Sequence, residues 1–247
     1  MIINPYMVTP SGAGSPLRST SGLISLFDAQ TISGADGDRL RTWADYTGNN
    51  SIPLLGATAT ERPTLKLNIV DGSKSVVRFD GTQFLPNYAA TGIPVGGAPF
   101  TEYLVFSAAT NQHKSIVSFG STGGTGSRGG FFLTSADKVL YEGAANDSVG
   151  SFTCPVDGTP MLISAVYPGG ALSNYQQWHN GVAETMTGSG STAAPSYIPS
   201  EIKLGGMAAN GSFNFVGDIA IYAIFAGAHT TDQRESIESE LIAVYGI

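Results

Sequence analysis

Asp218-Ile219-Ala220-Ile221-Tyr222-Ala223-Ile224-Phe225, followed after a short break by Thr230-Thr231-Asp232-Gln233, is the stretch on which the fold turns. In its first half Ile219, Ile221, Ala223 and Phe225 recur at every second residue, which predicts one face of a β-strand. In its second half Thr230 and Gln233 form a capping box, with side chains placed to satisfy the exposed amides of a helix N-terminus. Ile237, Leu241, Val244 and Tyr245 then repeat at helical spacing, and Gly246 supplies a stop. Glu235, Glu238 and Glu240 are expected on the solvated face. A final strand closed by one helix is therefore predicted at the C-terminus.

Upstream the same period of two dominates. Leu23–Phe27, Arg39–Asp45 (with Leu40 and Trp43), Ser75–Asp80, Ser115–Phe119, Phe131–Thr134, Met161–Tyr167 and Tyr175–His179 read as strands. Tyr103-Leu104-Val105-Phe106 is a continuous apolar run, as expected of a central strand covered on both faces. Asn180-Gly181 between two runs predicts a type I′ hairpin turn. Asp45 to Asn50 is turn chemistry. Gly120 to Gly130 reads as a long loop, with no helix after it to hold a phosphate. No helix alternates with the strands, so a parallel α/β sheet is disfavoured. The expected fold class is all-β: a two-sheet antiparallel jelly-roll sandwich, concanavalin A-like, with one C-terminal helix. Composition agrees, since 32 of 247 residues are glycine and only 13% are charged.

Several function classes are disfavoured. A net charge of −7 with scattered Lys and Arg argues against nucleic acid as a partner. Nothing approaches the length of an apolar membrane span. Cys154 stands alone, so no intrachain disulfide can form, and it is expected to be a buried core residue. His113, His179 and His229 fall in separate segments without metal-ligand spacing. No strand carries the paired carboxylates of a glycosidase; Glu102 is isolated. A glycoside hydrolase is thus a remote alternative, and no enzyme is expected.

The order of blocks resembles the laminin-G-like jelly rolls of bacterial surface and bacteriophage structural proteins, within the concanavalin A-like lectin/glucanase superfamily. The blocks are Leu26-Phe27-Asp28-Ala29, Asp36-Gly37-Asp38 and Trp43-Ala44-Asp45-Tyr46-Thr47-Gly48-Asn49, then Arg62-Pro63 and Val77-Arg78-Phe79-Asp80-Gly81. Pro99-Phe100-Thr101, Asn180-Gly181-Val182, Gly217-Asp218-Ile219-Ala220 and Glu235 to Ile247 follow. The similarity covers residues 23–247, the expected sandwich domain. Arg78 and Asp80 are expected to form a structural polar pair, and Trp43 to lie in the core.

The resemblance implies binding or display without a cofactor. Relatives often bind calcium, and Asp36 and Asp38 leave that ion open here. Residues 1–22 lie outside the similarity and read as an N-terminal arm and linker. Ile2, Ile3, Tyr6, Met7 and Val8 would dock on a neighbouring subunit, with Ser11 to Pro16 as the flexible connection. The N-terminus has no basic and long apolar signal regions, and it begins with Met1. These features favour a bacteriophage virion surface protein, partnered by its own copies or other virion proteins. The alternative is a carbohydrate-binding or adhesion module of an extracellular bacterial surface protein. In either case any host glycan is expected at loop aromatics and their polar neighbours: Tyr141, Asn146, Tyr175, Trp178 and Asn180.

Overall fold

A computed structural model of the chain describes residues 14–52, 62–110, 113–121, 127–143, 147–188, 194–198, 201–207 and 213–247. After a helical turn, α1 (Pro16–Ser19), come β1 (Leu23–Asp28), β2 (Thr64–Val70), β3 (Lys74–Asp80), β4 (Leu85–Asn87), β5 (Phe100–Ala108), β6 (Lys114–Gly120), β7 (Arg128–Leu133) and β8 (Lys138–Tyr141). The chain continues through β9 (Ser148–Thr153), β10 (Met161–Tyr167), β11 (Gln176–His179), β12 (Val182–Ala183), β13 (Thr187–Gly188), β14 (Glu201–Leu204) and β15 (Val216–Ala226), and ends in α2 (Thr231–Tyr245). The strands form two antiparallel sheets. One runs β12-β11-β10-β5-β15-β3-β2, with β1 also on β15; the other runs β13-β9-β8-β7-β6-β14-β4. The expected sandwich with a C-terminal helix is what the chain builds.

The main core lies between the sheets. Phe100, Leu104 and Phe106 of β5 meet Val117 and Phe119 of β6 and Phe131 of β7 there. The other face of β5, with Tyr103 and Val105, is sealed by Ile237, Leu241 and Tyr245 of α2. Both faces of β5 are thus buried, which is why its sequence is continuously apolar. Trp43 lies in the core, in edge contact with Phe27. Cys154 is buried, and burial pushes its thiol up to about 12.

β15 departs from simple alternation. A register shift between Ile219 and Ile221 inserts one residue against β5. Ile219 therefore faces the inter-sheet core, whereas Ala220, Ile221, Ala223 and Phe225 face α2. Other expectations are corrected as well. Arg78 pairs with Asp218 across the ladder through Nε and Nη2, at 2.7 and 2.8 Å, not with Asp80. Asp80 instead bonds Thr82 and Gln83. Arg39–Asp45 makes only isolated bridges, Arg39 to Thr64 and Trp43 to Ile52. Arg128, Gly129 and Gly130 belong to β7 rather than to a loop. A Cβ on Gly129 would come within 2.7 Å of the Phe119 ring, so glycine here reflects close packing in a strand.

On α2 the capping box and the left-handed Gly246 stop are present. Val244, however, is exposed, and Glu238 is buried. The Glu238 carboxylate receives the Arg234 guanidinium and the Ser164 hydroxyl of β10. Glu240 accepts hydrogen bonds from Ser15 Oγ and Leu17 N, at 2.5 and 2.8 Å, and Leu17 is buried. Ser15 and Pro16, read as linker, thus open a helical turn clamped to the body. Ile2, Ile3, Tyr6, Met7 and Val8 lie outside the described residues.

Candidate functional site

Where β11 and β12 meet the β9–β13 edge of the opposite sheet, the sandwich opens into a cleft of about 330 Å³ lined by Tyr175, Gln176, Gln177, Trp178, Ala183, Glu184 and Met186. The hairpin that builds it follows from Asn180-Gly181. Both residues take positive φ, 46° and 78°, as a type I′ turn requires. Asn180 also exchanges hydrogen bonds with Leu162 through its backbone N–H and its side-chain oxygen. Asn180 is thereby committed to the turn.

Alternation along β11 sends Tyr175, Gln177 and His179 inward and Gln176 and Trp178 outward. Inside, the polar groups are fixed in series. The Tyr175 hydroxyl donates to Gln177 Oε1 at 3.2 Å, and Gln177 Nε2 donates to Glu184 Oε1 at 2.9 Å. The second Glu184 oxygen accepts from the Phe152 backbone N–H at 3.0 Å. Each carboxylate oxygen is held by one donor and keeps acceptor capacity for another. Phe152 stacks on His179 with ring centroids 3.4 Å apart, tying the two sheet edges together. Outside, the half-buried Trp178 ring carries the Arg234 guanidinium at 4.2 Å. On its inner side the cleft thus offers the Tyr175 ring, an amide and an oriented carboxylate. That set suits a ligand with hydroxyl groups and an apolar face.

Of the five residues expected to bind a ligand, the structure brings Tyr175 and Trp178 to this cleft. Tyr141 is not on a loop surface. It is the last residue of β8 and is fully buried, its ring centroid 4.3 Å from that of Tyr175 and its hydroxyl bonded to Tyr197. Asn146 lies outside the described residues. Gln177 and Glu184 had no signal beyond their position in a hairpin; the inward alternation of Tyr175 and His179 marks Gln177 in retrospect.

Behind Tyr175 lies Glu102, fully buried on the inner face of β5. The Tyr222 hydroxyl donates to its Oε1 at 2.7 Å, and among the described residues Oε2 has no partner. Burial pushes this carboxyl up to about 8, outweighing the Tyr222 hydrogen bond. Burial likewise holds the Tyr141, Tyr175 and Tyr222 phenols well above their usual range. Glu102 does not line the cleft. Asp36 is engaged by Lys66 and the Leu67 N–H, and Asp38 by the Ala35 N–H. Among the described residues no group of three or more His, Cys, Asp or Glu is placed to hold a metal ion.

No protein-family model matches the chain, and no curated protein sequence matches it. Solved structures do resemble it. Domain 4 of AbnA, a GH43 extracellular arabinanase from Geobacillus stearothermophilus solved with arabinotriose, aligns over 88% of this chain and 97% of its own, with a TM-score of 0.58 and 14% identity. A mutant GH54 α-L-arabinofuranosidase soaked with 4-nitrophenyl α-L-arabinofuranoside aligns over 94% of this chain at a TM-score of 0.61 and 15% identity. An arabinofuranosidase complexed with arabinofuranosyl-α-1,2-xylobiose gives 91%, 0.60 and 14%. The chain spans about 60% of the length of these two arabinofuranosidase chains. At such identities the likeness establishes the shared β-sandwich architecture.

Proposed function

We propose that the chain is a carbohydrate-binding module whose site is the cleft at the β11–β12 edge. The observation that carries this reading is the fixed series Tyr175–Gln177–Glu184 within an open cleft, the Trp178 ring lying on the opposite face of the same hairpin. Sugars present hydroxyl pairs around an apolar ring face. An aromatic wall with an immobilised amide and carboxylate meets both needs with little left to order on binding. The neighbours support the same direction, since they are carbohydrate-active proteins solved with arabinose-containing ligands. Arabino-oligosaccharides are therefore the first ligands to try. The bacteriophage virion reading gains nothing from these neighbours and is not carried forward.

The test is calorimetric titration of the full chain with arabinotriose and with a panel of other neutral oligosaccharides. Saturable binding that weakens at least tenfold in Glu184→Ala supports the reading. Binding unaffected by that substitution, or no binding across the panel, overturns it.

A further inference from the structure

A second cavity, of about 370 Å³, opens on the outer face of the eight-stranded sheet, beyond the part that α2 seals. Arg78, Asp80, Ser107 and Asp218 bring polar groups to it, and no residue of α2 lines it. Val77 and Phe79 of β3 point into the core, so alternation turns Arg78 and Asp80 outward. Arg78 holds Asp218 side-on, through Nε and Nη2. That geometry leaves the Nη1–Nη2 edge of the planar guanidinium turned away from the carboxylate. Among the described residues Nη1 makes no hydrogen bond, and the Arg78 side chain is 45% exposed. Asp80, two residues along the same strand face, accepts from Gln83 Nε2 at its Oδ2 and keeps acceptor capacity there. From β5, Ser107 adds a hydroxyl, a group that can donate or accept. Ala109 and Val216 supply apolar wall between these groups.

The occupant follows from charge. Arg78 and Asp218 offset each other, Asp80 adds a negative charge, and the Asp36 charge also reaches the guanidinium. An anionic ligand would gain little in that field. A neutral ligand must accept from the guanidinium edge and donate to a carboxylate or a hydroxyl. Adjacent hydroxyls of a sugar do both. We propose that this cavity is a second carbohydrate site, where Arg78 and Asp80 take a hydroxyl pair of a neutral sugar and Ser107 supports them. The bond to Asp218 fixes the Arg78 side chain beforehand, so little of its freedom remains to be lost on binding. The inference rests on the carbohydrate reading but uses no residue of the edge cleft. β11 and β15 are three strands apart in their sheet, roughly 14 Å at ordinary strand spacing. Two sites so separated would let one polysaccharide chain engage both, making the second attachment intramolecular.

The experiment uses the full chain labelled with ¹⁵N-arginine, the Arg78 Nε–H signal being assigned by its loss in Arg78→Lys. Arabinotriose, the other neutral oligosaccharides of the panel and trigalacturonic acid are titrated in separately. The Arg78 signal is expected to move saturably with a neutral sugar and to move equally in Glu184→Ala. It should require at least tenfold more sugar in Ala109→Glu, which offers the Arg78 edge a carboxylate of its own; Ser107→Ala takes its place if that variant does not fold. An unchanged sugar requirement in the folded variant overturns the proposal. Movement abolished by Glu184→Ala would make the signal a report of the edge cleft, and movement with trigalacturonic acid alone would make this an anion site; either result also overturns it. A silent Arg78 signal, while calorimetry still finds Glu184-dependent sugar binding, overturns the second site and leaves the cleft standing. Absence of any sugar binding overturns both.

Discussion

The two outer faces of the sandwich treat buried charge in opposite ways. On the eight-stranded sheet, α2 covers the surface and its charges are closed off: Arg234 and Glu238 face each other, Ser164 adds a donor, and Ile237 and Leu241 seal the rest. On the seven-stranded sheet no helix lies among the described residues; Lys203 is buried with its ammonium over the Phe84 ring, and the buried Asn214 side-chain oxygen has no partner among the described residues. The first pattern stabilises the fold. The second costs stability. The edge cleft falls between these extremes, with Glu184 held by two donors yet able to accept more.

The largest effect should come from opening the closed face. Glu238→Ala leaves the buried Arg234 with only Glu235, which is exposed, as a carboxylate partner. Removing one member of a buried pair costs about 3–5 kcal/mol, read as a lower urea midpoint. Leu241→Ala on the same face should cost about 2–5 kcal/mol through the cavity it leaves. If both variants unfold like the native chain, α2 is not the seal described.

Between the faces, Glu102 gives the comparison a pH axis. Its folded-state pKa of about 8 lies above the ordinary 4.5. The folded chain therefore holds a proton that the unfolded chain releases. Its contribution is fully present below pH 4.5 and is lost as pH rises towards 8, by at most about 1.4 kcal/mol per pH unit. Glu102→Gln should flatten the stability profile between those limits, measured by urea unfolding at several pH values. An unchanged slope would mean that Glu102 is already ionised at neutral pH.

The smallest change is expected on the outer face of the seven-stranded sheet. Lys203→Met removes an ammonium that lies over the Phe84 ring and keeps the stem there. Stability should stay within about 1 kcal/mol of the native chain or rise. A loss as large as that of Glu238→Ala would show that Lys203 is structural, and the contrast between the faces would collapse.

The pattern of residues made most of the architecture legible, and the failures were local. The capping box and Asn180-Gly181 are short-range signals, so the helix start and the hairpin were readable. The bulge in β15 was not, because it is forced by pairing with β5 and leaves no mark in the alternation. Glu238 looked solvated because its partners, Arg234 and Ser164, are joined only by the docking of α2 on β10. The same limit applied to the site. Trp178 and Tyr175 stood out as aromatics, whereas Tyr141 looked equivalent until the sheets closed over it. Asn214 lies in a segment with no motif, and only the folded chain reveals that its side-chain oxygen is buried without a partner among the described residues.

The central claim is that the edge cleft binds a neutral sugar through the Gln177–Glu184 pair. Isothermal titration of arabinotriose into the native chain and into Glu184→Ala, with folding checked by circular dichroism, tests it most directly. The account predicts saturable binding to the native chain and at least a tenfold loss in the folded variant. Equal affinity in the two proteins, or no heat of binding in either for arabinotriose and the wider neutral panel, would contradict it.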